Sequence, residues 1–194
     1  MSSEQSDPRQ KILQSAIALL ESGDVTIRVA DVAKAAGISR QALYLHYPTR
    51  ADLLIAAARH IEDMKGMNTL LAPSRVAKAG LERLDAYISA WAGWNVEIHG
   101  IASALLAMRP TDEAAAAAWN DRMRAHREGC EAAVKALARD GHLSPDYTVR
   151  QATDILWTLL TIHNWEQLTQ QCGWSQKRFV AATKDMARKL LVAA

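Results

Sequence analysis

The chain has 194 residues, of which 49% are hydrophobic, and a formal net charge of +2 at pH 7. This length is enough for one large or two small domains with a sizeable core, and the near-neutral charge does not by itself indicate a nucleic-acid-binding protein. The polar N-terminus lacks the apolar segment of a secretion signal, and no apolar stretch approaches the roughly 20 residues that span a bilayer. We therefore expect a cytoplasmic protein. Cys130 and Cys172 occur in no CxxC or His-rich spacing, so the sequence predicts no disulfide framework, metal site or cofactor.

Apolar residues recur with a helical period along the chain, and strand-like alternation is missing apart from the short stretch VTIRV at 25–29. We therefore predict an all-α protein. The first helix begins at Asp7 and Pro8, a good N-cap followed by a residue suited to the first helical position, and it ends at Gly23. Two short helices follow, one on either side of Gly37.

The rest of the chain predicts longer helices. One begins at Thr49, where Thr49 and Asp52 can form a capping box, and runs out near Gly66. The stretch LLAPS at 70–74 is the best candidate for a hinge. Beyond it, helices are predicted at about 74–93, 95–109 and 111–139, over the apolar stretch DILWTLLTIHNW, and from the cap Ser175 onward.

The stretch DVAKAAGIS predicts two short helices joined by a tight turn. Gly37 tolerates the positive φ that such a corner needs. Val32, Ile38 and Leu43 are apolar, so that the two helices can pack against each other, and Ala33 is small where they would cross most closely. This spacing is that of a helix-turn-helix.

The second helix of this pair has the features of a DNA recognition helix. It is predicted over about 40–46, with Ser39 as its N-cap. On the side away from the packing face it exposes Arg40, Gln41, Tyr44 and Leu45. In a major groove, Arg and Gln side chains can pair with base edges, whereas hydroxyl and imidazole groups can meet phosphates. The alternative interpretation is that Arg40 and Gln41 are ordinary solvated surface residues.

Residues 9–57 resemble the tetracycline-repressor-like (TetR) family of transcriptional regulators, because ILQSAIALLESGD, VADVAKAAGIS and ALYLHYPTRADLL follow one another in the family's order and spacing. Farther along, DILWTLLTIHNWEQLTQQCGWS is similar to the penultimate helix and following turn of many members. The resemblance implies a two-domain all-α homodimer. It also implies that the dimer binds double-stranded operator DNA and releases it when a small molecule enters the C-terminal bundle.

The resemblance further implies which residues contact DNA. Carried over by position, they are Arg28, Ser39, Arg40, Gln41, Ala42, Tyr44, His46, Thr49 and Arg50. Arg28 departs from the family pattern, in which most members have a Thr cap, and it could contact a phosphate or the minor groove. Tyr47 is expected to be a core residue.

The second part of the chain is rich in Trp, His and Met, as is common in pockets for flat or apolar ligands. The predicted ligand-binding residues are Trp91, Trp94, His99, Met108, Trp119, Met123, His126, Trp157 and His163. These residue types also fill ordinary helical cores, so a purely structural role is the alternative for each of them.

The last two helices have wider apolar faces than one bundle core can use. We predict that the excess pairs with its copy across a two-fold axis. The predicted interface residues are Ile155, Leu156, Leu159, Phe179, Thr183, Met186 and Leu190.

We therefore predict an all-α chain with an N-terminal three-helix, helix-turn-helix DNA-binding domain at 1–50. A larger helical bundle for ligand binding and dimerisation follows at 51–194, and the helix at 49–66 connects the two. The predicted function is that of a repressor released from a palindromic operator by a small hydrophobic or aromatic effector. Two alternatives stay open: an enzyme that uses Cys130 or a histidine cluster, and an architectural DNA-binding protein without an effector.

Overall fold

The computed structural model describes residues 7–22 and 27–193, and every regular element in these ranges is a helix. The predicted all-α fold is confirmed. The helices are α1 (Pro8–Glu21), α2 (Val29–Ala35), α3 (Arg40–His46), α4 (Arg50–Met64), α5 (Met67–Val76), α6 (Gly80–Met108), α7 (Glu113–Arg139), α8 (Val149–Leu159), α9 (Ile162–Glu166) and α10 (Gln176–Leu191). A π-type turn at Gln167–Gln171 lies between α9 and α10. Within the described ranges, no helix has the length and apolarity needed to cross a bilayer.

α1 begins as predicted. The Asp7 side chain accepts a hydrogen bond of 3.0 Å from the Arg9 backbone N–H, and Pro8 is the first helical residue. α1 packs against α2 and α4 through an apolar face that is fully buried. The predicted end at Gly23 and the first residues of the VTIRV stretch lie outside the described residues.

The predicted hinge at LLAPS is wrong, because this stretch lies inside α5 with Pro73 in the helix. The chain turns instead at Gly66, whose φ of 75° lets a new helix begin directly after α4. The predicted break between residues 93 and 95 is also wrong, since α6 continues through Gly93. A helical glycine costs only about 1 kcal/mol, and the burial of Trp91 and Trp94 outweighs that cost.

The apolar stretch DILWTLLTIHNW is two helices rather than one. Thr161 caps α9 by accepting a 3.4 Å hydrogen bond from the Asn164 N–H, and the Asn164 side chain donates to the Thr158 carbonyl over 2.6 Å. These polar side chains satisfy the backbone groups that a helix break exposes. α10 begins as predicted, with Ser175 accepting from the Arg178 N–H.

The residues form two compact units. The first unit comprises Met1–Lys65 and Ile98–Arg122, and the second comprises Gly66–Glu97 and Met123–Ala194. α4 belongs to the first unit, because it packs along α1. The domain boundary that the sequence places at residue 50 stays a prediction.

Candidate nucleic-acid interface and ligand-binding core

α2 and α3 form the predicted helix-turn-helix. Gly37 adopts a φ of 70°, and the turn is closed by a 3.0 Å hydrogen bond from the Ile38 N–H to the Ala33 carbonyl. Val32 and Leu43 are buried where the two helices pack. A β-carbon at residue 37 would be strained whatever the free space around it, which explains why this corner carries glycine.

α3 presents an exposed face with polar side chains. Its bounds, Arg40–His46, are those predicted, and the Ser39 hydroxyl caps it by accepting from the Ala42 N–H over 3.1 Å. Arg40, Gln41 and Tyr44 are exposed. One side of α3 is therefore fixed by burial while the opposite side is exposed to solvent.

The start of α4 is capped as predicted. The Asp52 N–H donates to the Thr49 hydroxyl oxygen, and the Thr49 N–H donates to the Asp52 carboxylate, both over 3.1 Å. Tyr47 is buried, which confirms its predicted place in the core, and the Arg9 guanidinium lies 5.6 Å from the centre of its ring. His46 is half-buried at the end of α3.

Arg50 is committed to contacts inside the first unit. Its Nε and Nη2 donate to the Ile27 carbonyl over 3.1 and 2.8 Å, and its Nη1 lies 2.6 Å from Asp112 Oδ1. Asp112 also caps α7 by accepting from the Ala114 and Ala115 N–H groups. Partial burial raises the pKa of Asp112, but the Arg50 guanidinium and these backbone donors outweigh burial and hold it below its ordinary value.

A surface groove of about 480 Å³ lies beside α3. Its polar lining is Arg28, Arg40, Tyr44, Arg50 and Asp112. The Arg28 side chain is exposed at the start of α2, where its backbone N–H donates to Asp31. Guanidinium and phenol groups around one concavity are the donors that phosphate oxygens accept from.

Further ion pairs join α4 to the first turns of α7, and no sequence pattern predicts them. Arg59 pairs with Asp121 over 2.6 Å, and Arg122 pairs with Glu62 over 2.6 Å. These two pairs span 62 and 60 residues, and the Arg50–Asp112 pair spans 62. The nearly constant separation indicates that α4 and this part of α7 run parallel.

In the second unit, aromatic and polar side chains of α6 and α7 form a buried cluster. The Tyr87 hydroxyl donates to the His126 carbonyl over 2.8 Å and lies 3.1 Å from His126 Nδ1. The rings of Trp91 and His126 have centroids 3.9 Å apart. Gly129 makes room for Tyr87, because a β-carbon there would lie 2.4 Å from the Tyr87 hydroxyl oxygen.

Burial keeps this cluster uncharged. It lowers the pKa of His126 to about 3 and raises the pKa of the Cys130 thiol to about 12. Cys130 is therefore a neutral thiol at physiological pH, unlike a catalytic thiolate. Among the described residues, no group of three or more His, Cys, Asp or Glu side chains could hold a metal ion.

The predicted ligand-binding residues divide between the two units. His99, Met108 and Trp119 lie in the first, and Trp91, Trp94, Met123, His126, Trp157 and His163 lie in the second. Within the second unit, Trp91, Trp94 and His126 are buried, whereas His163 is exposed. Asn95 is also buried there, although the sequence analysis does not select it. Its position one helical turn after Trp91 is the sequence signal that could have placed it on the same buried face.

The predicted interface residues have different surroundings. Leu156, Phe179 and Thr183 are fully buried inside the single chain, so they are not available to a partner. The remaining candidates are Ile155, Leu159 and Met186, which are half-buried, and Leu190, which is 41% exposed. Because α8 packs on α10, the remaining candidates on the two helices lie in the same part of the second unit.

Comparisons with known proteins agree with the helix-turn-helix. Residues 12–57 match the family model described as bacterial regulatory proteins, tetR family. The HTH-type transcriptional repressor LfrR of Mycolicibacterium smegmatis is 41% identical over 56 residues, which are 29% of this chain and 29% of that protein. The matched segment thus spans less than a third of this curated relative.

Solved structures of similar fold cover nearly the whole chain. One, described as a transcriptional regulator from Saccharomonospora viridis in complex with choline, has a TM-score of 0.73 at 18% identity and covers 98% of this chain and all of that one. Another, FadR from Bacillus subtilis in complex with stearoyl-CoA, has a TM-score of 0.70 at 16% identity and covers 92% and 96% of the two chains. At such identities the likeness shows the fold alone, and the two bound molecules differ widely in chemistry.

Proposed function

The chain belongs to the tetR family of bacterial regulatory proteins, and from this premise we propose that it is a sequence-specific repressor that leaves its operator when a small effector binds. In this proposal residues 1–50 form the DNA-binding domain, and the helix at 49–66 connects it to the rest. Residues 51–194 hold the effector and the dimer interface, and the protein acts on DNA in the cytoplasm.

One observation carries the proposal: the exposed face of α3. Ser39 caps this helix, and Leu43 anchors it, so that Arg40, Gln41 and Tyr44 project from a fixed backbone. A rigid element that presents Arg and Gln side chains suits direct readout of base edges in the major groove. The groove that holds Arg28 and Arg40 beside Tyr44 supplies donors for the flanking phosphates.

The test is a footprint of the purified full-length chain on the DNA that flanks its own gene. We expect one protected segment with two-fold sequence symmetry, because a symmetric dimer presents two copies of α3 roughly 34 to 36 Å apart. Protection should disappear on random DNA of equal length. Uniform, sequence-independent binding would favour the architectural alternative, and no binding at micromolar concentration would contradict the proposal.

The effector part of the proposal is supported by the buried aromatic cluster of the second unit. Trp91, Trp94 and His126 lie out of solvent and carry no net charge, which suits a small hydrophobic or aromatic molecule. The enzyme alternative has less support, because burial of Cys130 keeps its thiol protonated. Release of a footprint by a compound that also quenches tryptophan fluorescence would identify an effector.

A further inference from the structure

Buried polar atoms without a hydrogen-bond partner are concentrated in the second unit. Within the described residues, four of the five such side-chain atoms belong to it: Trp91 Nε1, Asn95 Nδ2, His126 Nε2 and Trp157 Nε1. Folded proteins pair nearly all buried polar groups, because an unpaired one destabilises the fold. These four atoms have no well-formed hydrogen bond within the described polypeptide, although burial raises the pKa of the Tyr87 hydroxyl and the Trp91 indole lies close enough to it to offset part of that rise.

Three of the four atoms lie close together on α6 and α7. Trp91 and Asn95 are one helical turn apart on the same face of α6. The Trp91 ring contacts the His126 ring of α7 at 3.9 Å between centroids. Asn95 and His126 are each only 2% exposed, so their unpaired atoms have no access to bulk water.

The register of α8 against α7 places Trp157 at nearly the same level. Arg127 pairs with Asp154 over 2.6 Å, and Glu131 and Arg150 line the same surface groove. Higher numbers on α7 thus meet lower numbers on α8, so the two helices are antiparallel. Trp157, one turn beyond Asp154, accordingly lies at the level of the α7 turn that precedes Arg127.

The hydrogen-bonding role of each atom can be assigned. Tyr87 has a single hydroxyl hydrogen, which it donates to the His126 carbonyl. His126 Nδ1 must therefore carry the proton that bonds to the Tyr87 oxygen, which leaves Nε2 of the neutral ring as an acceptor. The two indole nitrogens and the Asn95 amide nitrogen are donors. The cluster thus offers three donors and one acceptor.

The same interior holds no ionic group. Among the described residues, no Lys, Arg, Asp or Glu side chain belongs to the buried class, and His126 is neutral because burial lowers its pKa to about 3. An ion placed there would lose its hydration without gaining a counter-charge. An anion is therefore disfavoured, and a cation could recover part of this cost only on the faces of the tryptophan rings.

We infer that the effector is an uncharged molecule that carries at least one hydrogen-bond acceptor, such as an amide, and that it accepts hydrogen bonds from Asn95 and a neighbouring indole while donating one to His126. This inference rests on the proposed function, in which a small molecule controls DNA binding. It separates this chain from regulators of the same fold that bind a quaternary ammonium or an acyl-CoA.

The test is calorimetric titration of the full-length chain, without DNA, with four aromatic probes of similar size. Benzamide is uncharged and has both an acceptor and a donor, benzoate is an anion, benzylammonium is a cation, and ethylbenzene is apolar. We expect benzamide to bind at least about tenfold more tightly than each of the others, because only it pairs with the cluster at no ionic cost.

Two variants remove donors: Asn95→Leu nearly keeps the size of the side chain, and Trp157→Phe keeps an aromatic ring of smaller size. Asn95→Leu and Trp157→Phe should each weaken benzamide binding by about tenfold and leave ethylbenzene binding unchanged or tighter. In the ligand-free protein, Asn95→Leu should also raise the melting temperature, because it deletes an unpaired buried donor. Asn120→Leu makes the same chemical change at an exposed position and should alter neither property.

Several results would overturn the inference. One is binding of benzoate or benzylammonium with an affinity within threefold of that of benzamide. Another is the absence of saturable heat when benzamide is added to millimolar concentration. Retention of the benzamide preference in both variants would contradict the assignment. So would a lower melting temperature of Asn95→Leu, which would show that the amide already has a structural partner such as an ordered water. The titration contains no DNA, so its outcome does not depend on operator binding. A failed footprint is a separate result, which tests the proposed function.

Discussion

Arg50 and Asp112 form a guanidinium–carboxylate pair that joins three segments of the first unit. Arg50 is the first residue of α4, Asp112 caps α7, and the Ile27 carbonyl next to α2 accepts two further hydrogen bonds from the same guanidinium. Most of the Arg50 donors are therefore occupied within the fold. We expect Arg50 to position the helix-turn-helix, with Arg28 and Arg40 left to meet phosphates and bases.

Replacing Asp112 with Ala should destabilise the chain by about 1–3 kcal/mol, because the change removes a helix cap and the partner of a half-buried guanidinium. Urea unfolding followed by circular dichroism measures this loss. Asp185→Ala is the matched control, since the Asp185 carboxylate is exposed and pairs with Lys189 one turn away on α10. The control should change stability by less than about 0.5 kcal/mol; equal effects would contradict the assigned role of Asp112.

The same pair predicts a dependence of stability on pH. Because the pKa of Asp112 is lower in the folded state, its carboxylate stabilises the fold above the unfolded-state pKa of about 3.9, and this contribution is lost as pH falls through the lower folded-state value. The difference in unfolding free energy between the native chain and Asp112→Asn should thus be constant from pH 7 to about 5 and shrink below about 4. A difference that stays constant to pH 3 would show that ionisation of Asp112 is not the cause.

The residues of α3 should divide between base reading and phosphate binding. Arg40→Ala should cost about 1–3 kcal/mol on the true operator and little on random DNA, because base contacts carry the sequence information. Tyr44→Phe should weaken both by a similar factor, since a hydroxyl bonded to phosphate carries none. Gel-shift titrations at one fixed salt concentration separate the two cases, and an equal loss on both DNAs for Arg40→Ala would refute the assignment.

The helix-turn-helix could be predicted from sequence because its signals are local. Gly37 marks the corner, Ser39 caps α3 within three residues, and the Thr49–Asp52 capping box marks the start of α4. Each of these interactions depends on residues a few positions apart. The structure confirms all of them.

What sequence reasoning missed depends on distant contacts. The Arg50–Asp112 pair joins residues 62 positions apart, and no periodic pattern in the sequence predicts it. The continuation of α6 through Gly93 depends on buried tryptophans whose packing outweighs local helix propensity. Asn95 could not be selected from sequence, because a polar residue on an apolar helix face indicates a binding role only once the structure shows that its buried amide lacks a hydrogen-bond partner.

Two glycines offer a matched test of packing in the second unit. A β-carbon at Gly129 would lie 2.4 Å from the hydroxyl oxygen of Tyr87, which is buried and hydrogen-bonded, whereas one at Gly93 would meet nothing within 4 Å. Gly129→Ala should therefore destabilise the chain by about 1–3 kcal/mol. Gly93→Ala should stabilise it by up to about 1 kcal/mol through helix propensity. Thermal unfolding of both variants is the measurement, and changes of the same sign would contradict this description of the cluster.

The proposed dimer predicts what a charge on α10 would do. Leu190 is 41% exposed and lies one turn after Met186, so the chain's own core leaves this part of the apolar face uncovered. If two copies pair here across a two-fold axis, Leu190→Lys places two like charges close together in a desolvated interface, which is strongly unfavourable. We expect a monomer by sedimentation at micromolar concentration, with a footprint that needs much higher protein concentration. Val76→Lys changes a more exposed apolar residue of α5 and should leave the mass unchanged. A native chain that sediments as a monomer while it still protects a palindromic site would rule this interface out.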